Sequence, residues 1–215
     1  MQKLTREEYS SEALQRRVRS VTFFKDLVQL DPAQYELVLS LSEYVRVKAG
    51  DNVMSKGDAD GKLFFLLKGQ IAVYTDAGEQ SLNVINPGEV VGTLSMITGR
   101  KRSATVQAES NAILLGLEHK YFRDVHDHSL IGLNTKLIAY RMIVHNIRWT
   151  LEMNKMKDPK HPLVSRLLKV PVHTSSKDNQ QELEFLHQQS KMLAELLCEW
   201  NEAAVEEPIT DLEPA

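Results

Sequence analysis

Short hydrophobic runs dominate the middle of the chain, from residue 43 to residue 118. Turn-forming residues separate one run from the next, as at Lys56-Gly57-Asp58 and Asn86-Pro87-Gly88. Runs of this length that are rich in β-branched and aromatic residues predict strands. About eight such strands indicate a β-sandwich or barrel, because short strands bury a core only by stacking two sheets or closing on themselves. The predicted strands are EYVRV, NVMS, KLFFLLK, QIAVYT, SLNVI, EVV, SATVQA and AILLGL.

Helical spacing precedes and follows this β-rich region. Residues 1–20 are polar and helix-permissive, and Phe23, Phe24 and Leu27 then recur three and four apart. Asp31 followed by Pro32 predicts the N-cap and first position of a further helix. We expect these helices to pack on the β-rich region.

The stretch 130–156 predicts one long helix with an unbroken heptad seam. Apolar residues three and four apart are typical of a helix that lies along a partner helix. Two partners fit the pattern: a second copy of the chain, or the helix predicted over 179–205, which has its own apolar stripe. We expect a homodimer through the seam. Its residues are Leu130, Leu133, Leu137, Tyr140, Val144, Ile147 and Leu151.

Charge is distributed unevenly along the 215 residues, whose formal net charge is −3. Residues 178–215 contain ten acidic residues and one basic residue, which leaves residues 1–177 at +6. An acidic C-terminal region opposes docking on phosphate backbones, so we expect no DNA binding there. The single Cys198 excludes an internal disulfide and favours a reducing compartment. With no apolar run long enough for a membrane span and no secretory signal pattern, we expect a cytoplasmic protein without membrane association.

The stretch Gly92 to Thr105 carries the candidate chemistry. It leaves a β-prone run at Gly92, is helical through Leu94 and Ser95, and returns to a β-prone run after Arg102. Free N–H groups at a helix N-terminus attract anions, and an arginine adds a forked contact to phosphate. The residues alone leave two interpretations open, an anion site and an ordinary loop with a solvated basic face.

Two longer segments resemble the cyclic-nucleotide-binding domain of the catabolite-activator superfamily and of protein kinase A regulatory subunits. VKAGDNVMSKGDADGKLFFLLKGQIAVY resembles the opening strands of that family, and INPGEVVGTLSMITGRKRSATVQA resembles its phosphate-binding cassette. The resemblance covers roughly residues 20–155. It implies an α+β fold, an antiparallel, jelly-roll-like β-roll with flanking helices, a long helix and, here, a C-terminal helical extension. It also implies a ligand site, formed by Gly92, Thr93, Leu94, Ser95, Arg102, Ser103 and Ala104.

The implied ligand is cyclic AMP or cyclic GMP, and one position departs from the family pattern. Thr93 stands where nucleotide-binding relatives have a glutamate that accepts a hydrogen bond from the ribose, whereas Arg102 matches the arginine that pairs with the cyclic phosphate. Replacing a charged by a neutral hydrogen bond weakens binding by roughly one to two orders of magnitude. A hydroxyl still pairs with ribose. A degenerate scaffold, whose Arg102 only ties down its own loop, remains an alternative.

Enzyme interpretations lack the residues they need. A metal-dependent cupin requires histidines on its strands, but all seven histidines lie at position 119 or later. His126-Asp127-His128 has ligand-like spacing in a linker, and no catalytic constellation or metal site is predicted. The region after residue 156 also lacks the two short helices, basic recognition helix and hairpin of a winged helix-turn-helix.

We therefore predict a dimeric, non-enzymatic sensor or adaptor that couples a nucleotide-type ligand to a protein–protein contact through the C-terminal helix or acidic tail. The alternatives are a transcriptional regulator of the catabolite-activator superfamily and a scaffold that has lost its ligand. The predicted segments are an N-terminal helical segment (1–20), the β-roll with flanking helices (21–129), the dimerisation helix (130–156), a linker (157–178), the C-terminal helix (179–205) and the acidic tail (206–215).

Overall fold

The structure is a computed structural model that describes residues 1–74, 81–173 and 178–206. Its strands are β1 (Gln2–Lys3), β2 (Glu43–Val47), β3 (Asn52–Met54), β4 (Lys62–Lys68), β5 (Ile71–Tyr74), β6 (Ser81–Ile85), β7 (Val90–Val91), β8 (Thr105–Ala108) and β9 (Ala112–Glu118). Its helices are α1 (Arg6–Tyr9), α2 (Glu12–Ser20), α3 (Thr22–Leu30), α4 (Pro32–Ser40), α5 (Thr93–Thr98), α6 (Lys120–Arg123), α7 (Leu133–Lys157), α8 (Val164–Leu167) and α9 (Asn179–Glu206). The predicted α+β fold, an antiparallel β-roll with flanking helices, is confirmed.

The strands form two antiparallel sheets that face each other. One sheet has the order β1-β2-β9-β4-β7 and the other the order β3-β8-β5-β6. All eight runs predicted as strands appear as β2–β9. The added strand, β1, is two exposed polar residues at a sheet edge, which hydrophobic patterning does not detect.

Two hydrophobic cores explain why β4 and β9 are apolar along their whole length. In β4, Phe64 and Leu66 point between the two sheets, while the alternating Leu63, Phe65 and Leu67 join the core shared with the helices. Successive side chains of a strand point to opposite faces, so a strand buried on both faces is continuously hydrophobic. This sheet is therefore the layer to which the helices attach.

The N-terminal helices pack on that outer face. Phe23, Phe24 and Leu27 of α3 are buried, and Phe23 stacks on Phe65 with ring centroids 5.6 Å apart. The predicted N-cap of α4 is confirmed, because the Asp31 carboxylate accepts a hydrogen bond from the Gln34 N–H at 3.0 Å. These helices and α7 contribute side chains to one core on the outer face of that sheet.

The heptad seam of α7 faces the chain's own C-terminal helix. The two helices start side by side, where Asn179 donates to Asn134 at 2.9 Å, and the Tyr140 ring lies against that of His187 with centroids 5.4 Å apart. The core that α7 shares with α9 includes the buried seam residues Leu137, Tyr140, Val144, Ile147 and Leu151.

The residues predicted to form the dimer interface are largely buried within one chain, and the homodimer itself stays a prediction. Five of the seven residues are already buried within one chain, Leu133 is half-buried, and Leu130 is exposed and lies before the helix, which begins at Leu133. Spacing of three and four residues marks a helix with a helical neighbour, and here the chain itself supplies that neighbour.

Residues 207–215 of the predicted acidic tail and residues 174–177 of the predicted linker lie outside the described residues. Among the helices that the structure describes, none combines the length and the apolar character needed to cross a bilayer.

Candidate functional site

A glycine at the end of β7 turns the chain into the short helix α5. Gly92 has φ +92°, in the left-handed region that L side chains rarely adopt. A Cβ atom at this position would lie 2.7 Å from Arg102 Nη1 and 2.7 Å from the Lys62 carbonyl oxygen. The absence of a side chain therefore lets the arginine approach the turn.

Arg102 is the buried polar centre of this region, with 5% of its surface exposed. Its Nε donates to Asp60 Oδ1 at 2.5 Å, and its Nη1 donates to the Gly92 carbonyl at 3.1 Å and to the Ser95 hydroxyl. Its Nη2 donates to the Lys62 carbonyl. Because a guanidinium has five N–H donors, these contacts among the described residues engage four of them and fix the plane of the fork.

The loop that holds Asp60 is joined to Arg102 through the backbone as well. The Arg102 N–H donates to the Asp58 carbonyl and the Gly57 N–H donates to the Arg102 carbonyl, both at 2.9 Å. Asp60 is a site residue that the sequence did not reveal, because it lies 42 positions from Arg102. Only the pairing of the two loops brings them together.

A cavity of about 290 Å³ opens over these residues; we call it the cassette cavity. All seven residues of the predicted ligand site line it, namely Gly92, Thr93, Leu94, Ser95, Arg102, Ser103 and Ala104. Thr93 and Ser95 are buried, with 5% and 7% of their surfaces exposed. The structure thus brings the predicted residues to one place, and their role in ligand binding stays a prediction.

The helices α7 and α9, which were not part of the predicted site, complete the cassette cavity. Residues of α7 and α9 line it: Asn146, Thr150, Asn154, Lys157, Leu197, Trp200 and Asn201. They could not be assigned from the sequence, because the segment that carries them lies far from the cassette along the chain. The helix α9 also packs directly against α5.

The part of α9 that lines the cavity is held by the segment after α7. The Trp200 ring stacks on His161 at a centroid distance of 4.0 Å and an interplanar angle of 15°. Arg166 forms an ion pair with Glu199, one position before Trp200, and this contact lowers the pKa of the glutamate. This arrangement fixes α9 as a wall of the cavity.

Two other titratable groups lie close to the site and both are shifted toward the neutral form. Burial, followed by the positive charges of Arg123 and Arg102, lowers the pKa of His119. Burial raises the pKa of the Cys198 thiol, which disfavours the thiolate that nucleophilic chemistry requires.

The ligand-like tripeptide His126-Asp127-His128 is used within the fold. His128 Nε2 lies 2.9 Å from Gln180 Oε1, and the Asp127 carboxylate accepts from the N–H and hydroxyl of Ser129. Within residues 1–74, 81–173 and 178–206, no three His, Cys, Asp or Glu side chains are grouped closely enough to hold a metal ion.

Comparison with known proteins identifies the β-roll. The family model described as cyclic nucleotide-binding domain matches residues 44–129. These residues form a cyclic nucleotide-binding domain. A solved cyclic nucleotide-binding domain from Methylobacillus flagellatus shares the fold, with a TM-score of 0.54 and 16% identity over 72% of this chain and 96% of that one.

Curated relatives match the same domain over part of their length. The cAMP-dependent protein kinase type II regulatory subunit of Drosophila melanogaster is 29% identical over 109 residues, which are 50% of this chain and 27% of that protein. The cGMP-dependent protein kinase of Plasmodium berghei is 29% identical over 89 residues, which are 40% of this chain and 10% of that protein. The chain therefore spans only a minor part of the relatives that share its cyclic nucleotide-binding domain.

Proposed function

We propose that the chain is a non-catalytic sensor that binds a cyclic nucleotide, cyclic AMP or cyclic GMP, in the cassette cavity. The observation that carries the proposal is a buried, preoriented Arg102 in a cavity lined by all seven residues of the predicted ligand site. The cavity volume of about 290 Å³ lies at the small end of the range for small-molecule sites. The names of the two relatives, a regulatory subunit of a cAMP-dependent protein kinase and a cGMP-dependent protein kinase, support this ligand class.

The fixed guanidinium favours anion binding at low reorganisation cost. Its contacts with Asp60, Gly92 and Lys62 hold the fork in place before a ligand arrives. A phosphate then receives a charge-assisted hydrogen bond without first ordering a long side chain. The neutral Thr93 supplies a weaker ribose contact than a carboxylate, so we expect modest affinity.

The position of α9 suggests how occupancy is transmitted. Leu197 and Trp200 line the cavity, and α9 continues to the acidic C-terminal residues. A ligand that contacts α9 changes the stability of its packing against α5 and α7. We propose that a protein partner, or a second copy of the chain, senses this helix or the acidic tail. The buried, unpaired Cys198 supports a reducing location such as the cytoplasm.

A second candidate is a scaffold without a ligand, and one observation favours it. Four of the five N–H donors of Arg102 are engaged by Asp60, Ser95 and backbone carbonyls of the domain itself. An arginine used in this way stabilises its own loops even when nothing binds. The transcriptional-regulator alternative is opposed by the net charge of −9 over residues 178–215.

Calorimetric titration with cyclic AMP and cyclic GMP separates the two candidates. Ser103→Glu places a carboxylate in the cavity where the phosphate charge would lie and breaks none of the Arg102 contacts. Ser165→Glu makes the same chemical change on α8, at an exposed position that does not line the cavity. We expect binding by the unmodified protein, retained affinity in Ser165→Glu, and a loss of at least about tenfold in Ser103→Glu from charge repulsion.

The scaffold candidate predicts a different outcome. It predicts no heat of binding for any of the three proteins at millimolar nucleotide. Binding of equal strength to the Ser103→Glu and unmodified proteins would place the ligand elsewhere and would reject the cassette cavity as the site.

A further inference from the structure

The asparagines of this chain divide into two groups by their side-chain hydrogen bonds. All nine lie within the described residues. Six have a side-chain hydrogen bond to another group of the protein: Asn52, Asn83, Asn86, Asn111, Asn134 and Asn179. Among the described contacts, the side chains of Asn146, Asn154 and Asn201 have none, and all three line the cassette cavity.

The placement of these three carboxamides gives them a common target. Asn146 and Asn154 are eight residues apart on α7, with Thr150 midway, so the three share one helix face. Asn201 reaches the same cavity from α9. All are half-buried rather than exposed. Partly desolvated amides without a protein partner present donors and acceptors to whatever fills the cavity.

We propose that Asn154 and Asn201, supported by Asn146, read the base edge of the bound nucleotide and select adenine over guanine. This inference rests on the proposed function. A carboxamide donates to N7 of adenine and accepts from its 6-amino group, whereas guanine offers acceptors at both positions. A carboxamide therefore matches adenine in full and guanine only in part.

The charged residues of the cavity do not favour guanine. A lysine is the side chain that suits the two acceptors of guanine, but Lys157 is exposed and its Nζ lies 3.5 Å from the Leu82 carbonyl oxygen. Asp158 is exposed as well. The half-buried polar groups that α7 and α9 contribute are the carboxamides and the Thr150 hydroxyl.

Asn201, one of the proposed selectivity residues, lies outside the domain matched by the family model, which ends at residue 129. The base would then bridge the β-roll and α9. The same contact that selects the base would tie α9 to the occupied site.

Titrations with three nucleotides and three variants test the assignment. The nucleotides are cyclic AMP, cyclic GMP and 7-deaza cyclic AMP, which lacks the N7 acceptor. The variants are Asn154→Ala, Asn201→Ala and the control Asn134→Ala, which removes an asparagine of α7 that pairs with Asn179. We expect the unmodified protein to bind cyclic AMP about tenfold more tightly than the other two nucleotides. Asn154→Ala and Asn201→Ala should each reduce that preference several-fold, and Asn134→Ala should preserve it.

The outcomes separate this assignment from the proposed function. Binding of cyclic AMP with no preference, or a preference unchanged in both cavity variants, overturns the assignment and leaves the function standing. If the unmodified protein binds none of the nucleotides, both the assignment of the asparagines and the proposed function are overturned. If a variant fails to fold, the comparison of cyclic AMP with 7-deaza cyclic AMP on the unmodified protein decides, and equal affinity overturns the assignment.

Discussion

Removing the Arg102 side chain should destabilise the protein even in the absence of ligand. Arg102→Ala removes one ion pair and three further hydrogen bonds, and it leaves the Gly92 carbonyl, the Lys62 carbonyl and the Ser95 hydroxyl without this donor. The backbone bonds of residue 102 to Gly57 and Asp58 remain. The perturbation therefore isolates the contribution of the guanidinium.

The expected loss is about 3 kcal/mol of unfolding free energy. A buried acceptor left without its partner costs ~1–3 kcal/mol, but the adjoining cavity lets water replace part of what is lost. The Asp60 side chain is 38% exposed, so solvent screens the ion pair and its contribution is small. The total lies near the lower limit of ~3–5 kcal/mol for removing one partner of a fully buried pair.

Urea unfolding at neutral pH measures this loss, and Lys101→Ala provides the control. Lys101 is exposed and adjacent in sequence, so its removal should change stability by less than about 0.5 kcal/mol. Arg102→Lys retains the charge but not the fork and should fall between the two. A loss below about 1 kcal/mol in Arg102→Ala would refute the reasoning, because the fork would then contribute little to joining the two loops.

Four further outcomes follow from the structure. Leu137→Glu places a charge in the core between α7 and α9, so thermal unfolding should occur at a clearly lower temperature. If light scattering instead shows that the wild-type protein is a dimer and the variant a folded monomer, the seam is an intermolecular interface. Burial lowers the pKa of His119 and His187 below 6.5 in the folded protein, so the unfolded chain binds protons first on acidification. Stability to urea should therefore be retained at pH 7.5 and fall toward pH 5.5. His187→Gln should make stability depend less on pH, and an unchanged pH dependence would contradict a contribution from His187. The Cys198 thiol should react with a disulfide reagent far more slowly in the native protein than in urea, since it is buried with a raised pKa; equal rates would mean that α9 is detached. Thr93→Glu should tighten cyclic nucleotide binding by about tenfold in calorimetry, and weaker binding would indicate that Thr93 suits a different ligand.

Local patterning predicts the strands of the β-roll well because their determinants are local. The strands β4 and β9 are apolar along their length since both faces are buried, and turn formers precede each of them. The glycine that starts α5 and the returning Arg102 lie ten residues apart, so one short window contains both. Hydrophobic patterning detects β1 poorly, because Gln2 and Lys3 pair with β2 without burying a side chain.

The walls of the cassette cavity depend on tertiary packing and could not be predicted in the same way. Asp60 meets Arg102 only because two loops pair across the fold. Asn201 reaches the cavity only because α9 lies beside α7 and against α5. The apolar spacing of α7 likewise predicts that a helix packs against it, but it does not predict which chain supplies that helix.

The fluorescence of Trp200 tests the central claim most directly. The chain has two tryptophans, and Trp149→Phe removes the exposed one and leaves Trp200, which lines the cassette cavity. Titration of this variant with cyclic AMP should give a saturable change in emission. Adenosine, which has the base and ribose but no phosphate for Arg102, should give at least about tenfold weaker binding. A spectrum that does not change up to millimolar cyclic AMP, or an equal response to adenosine, would contradict a cyclic nucleotide site at Arg102.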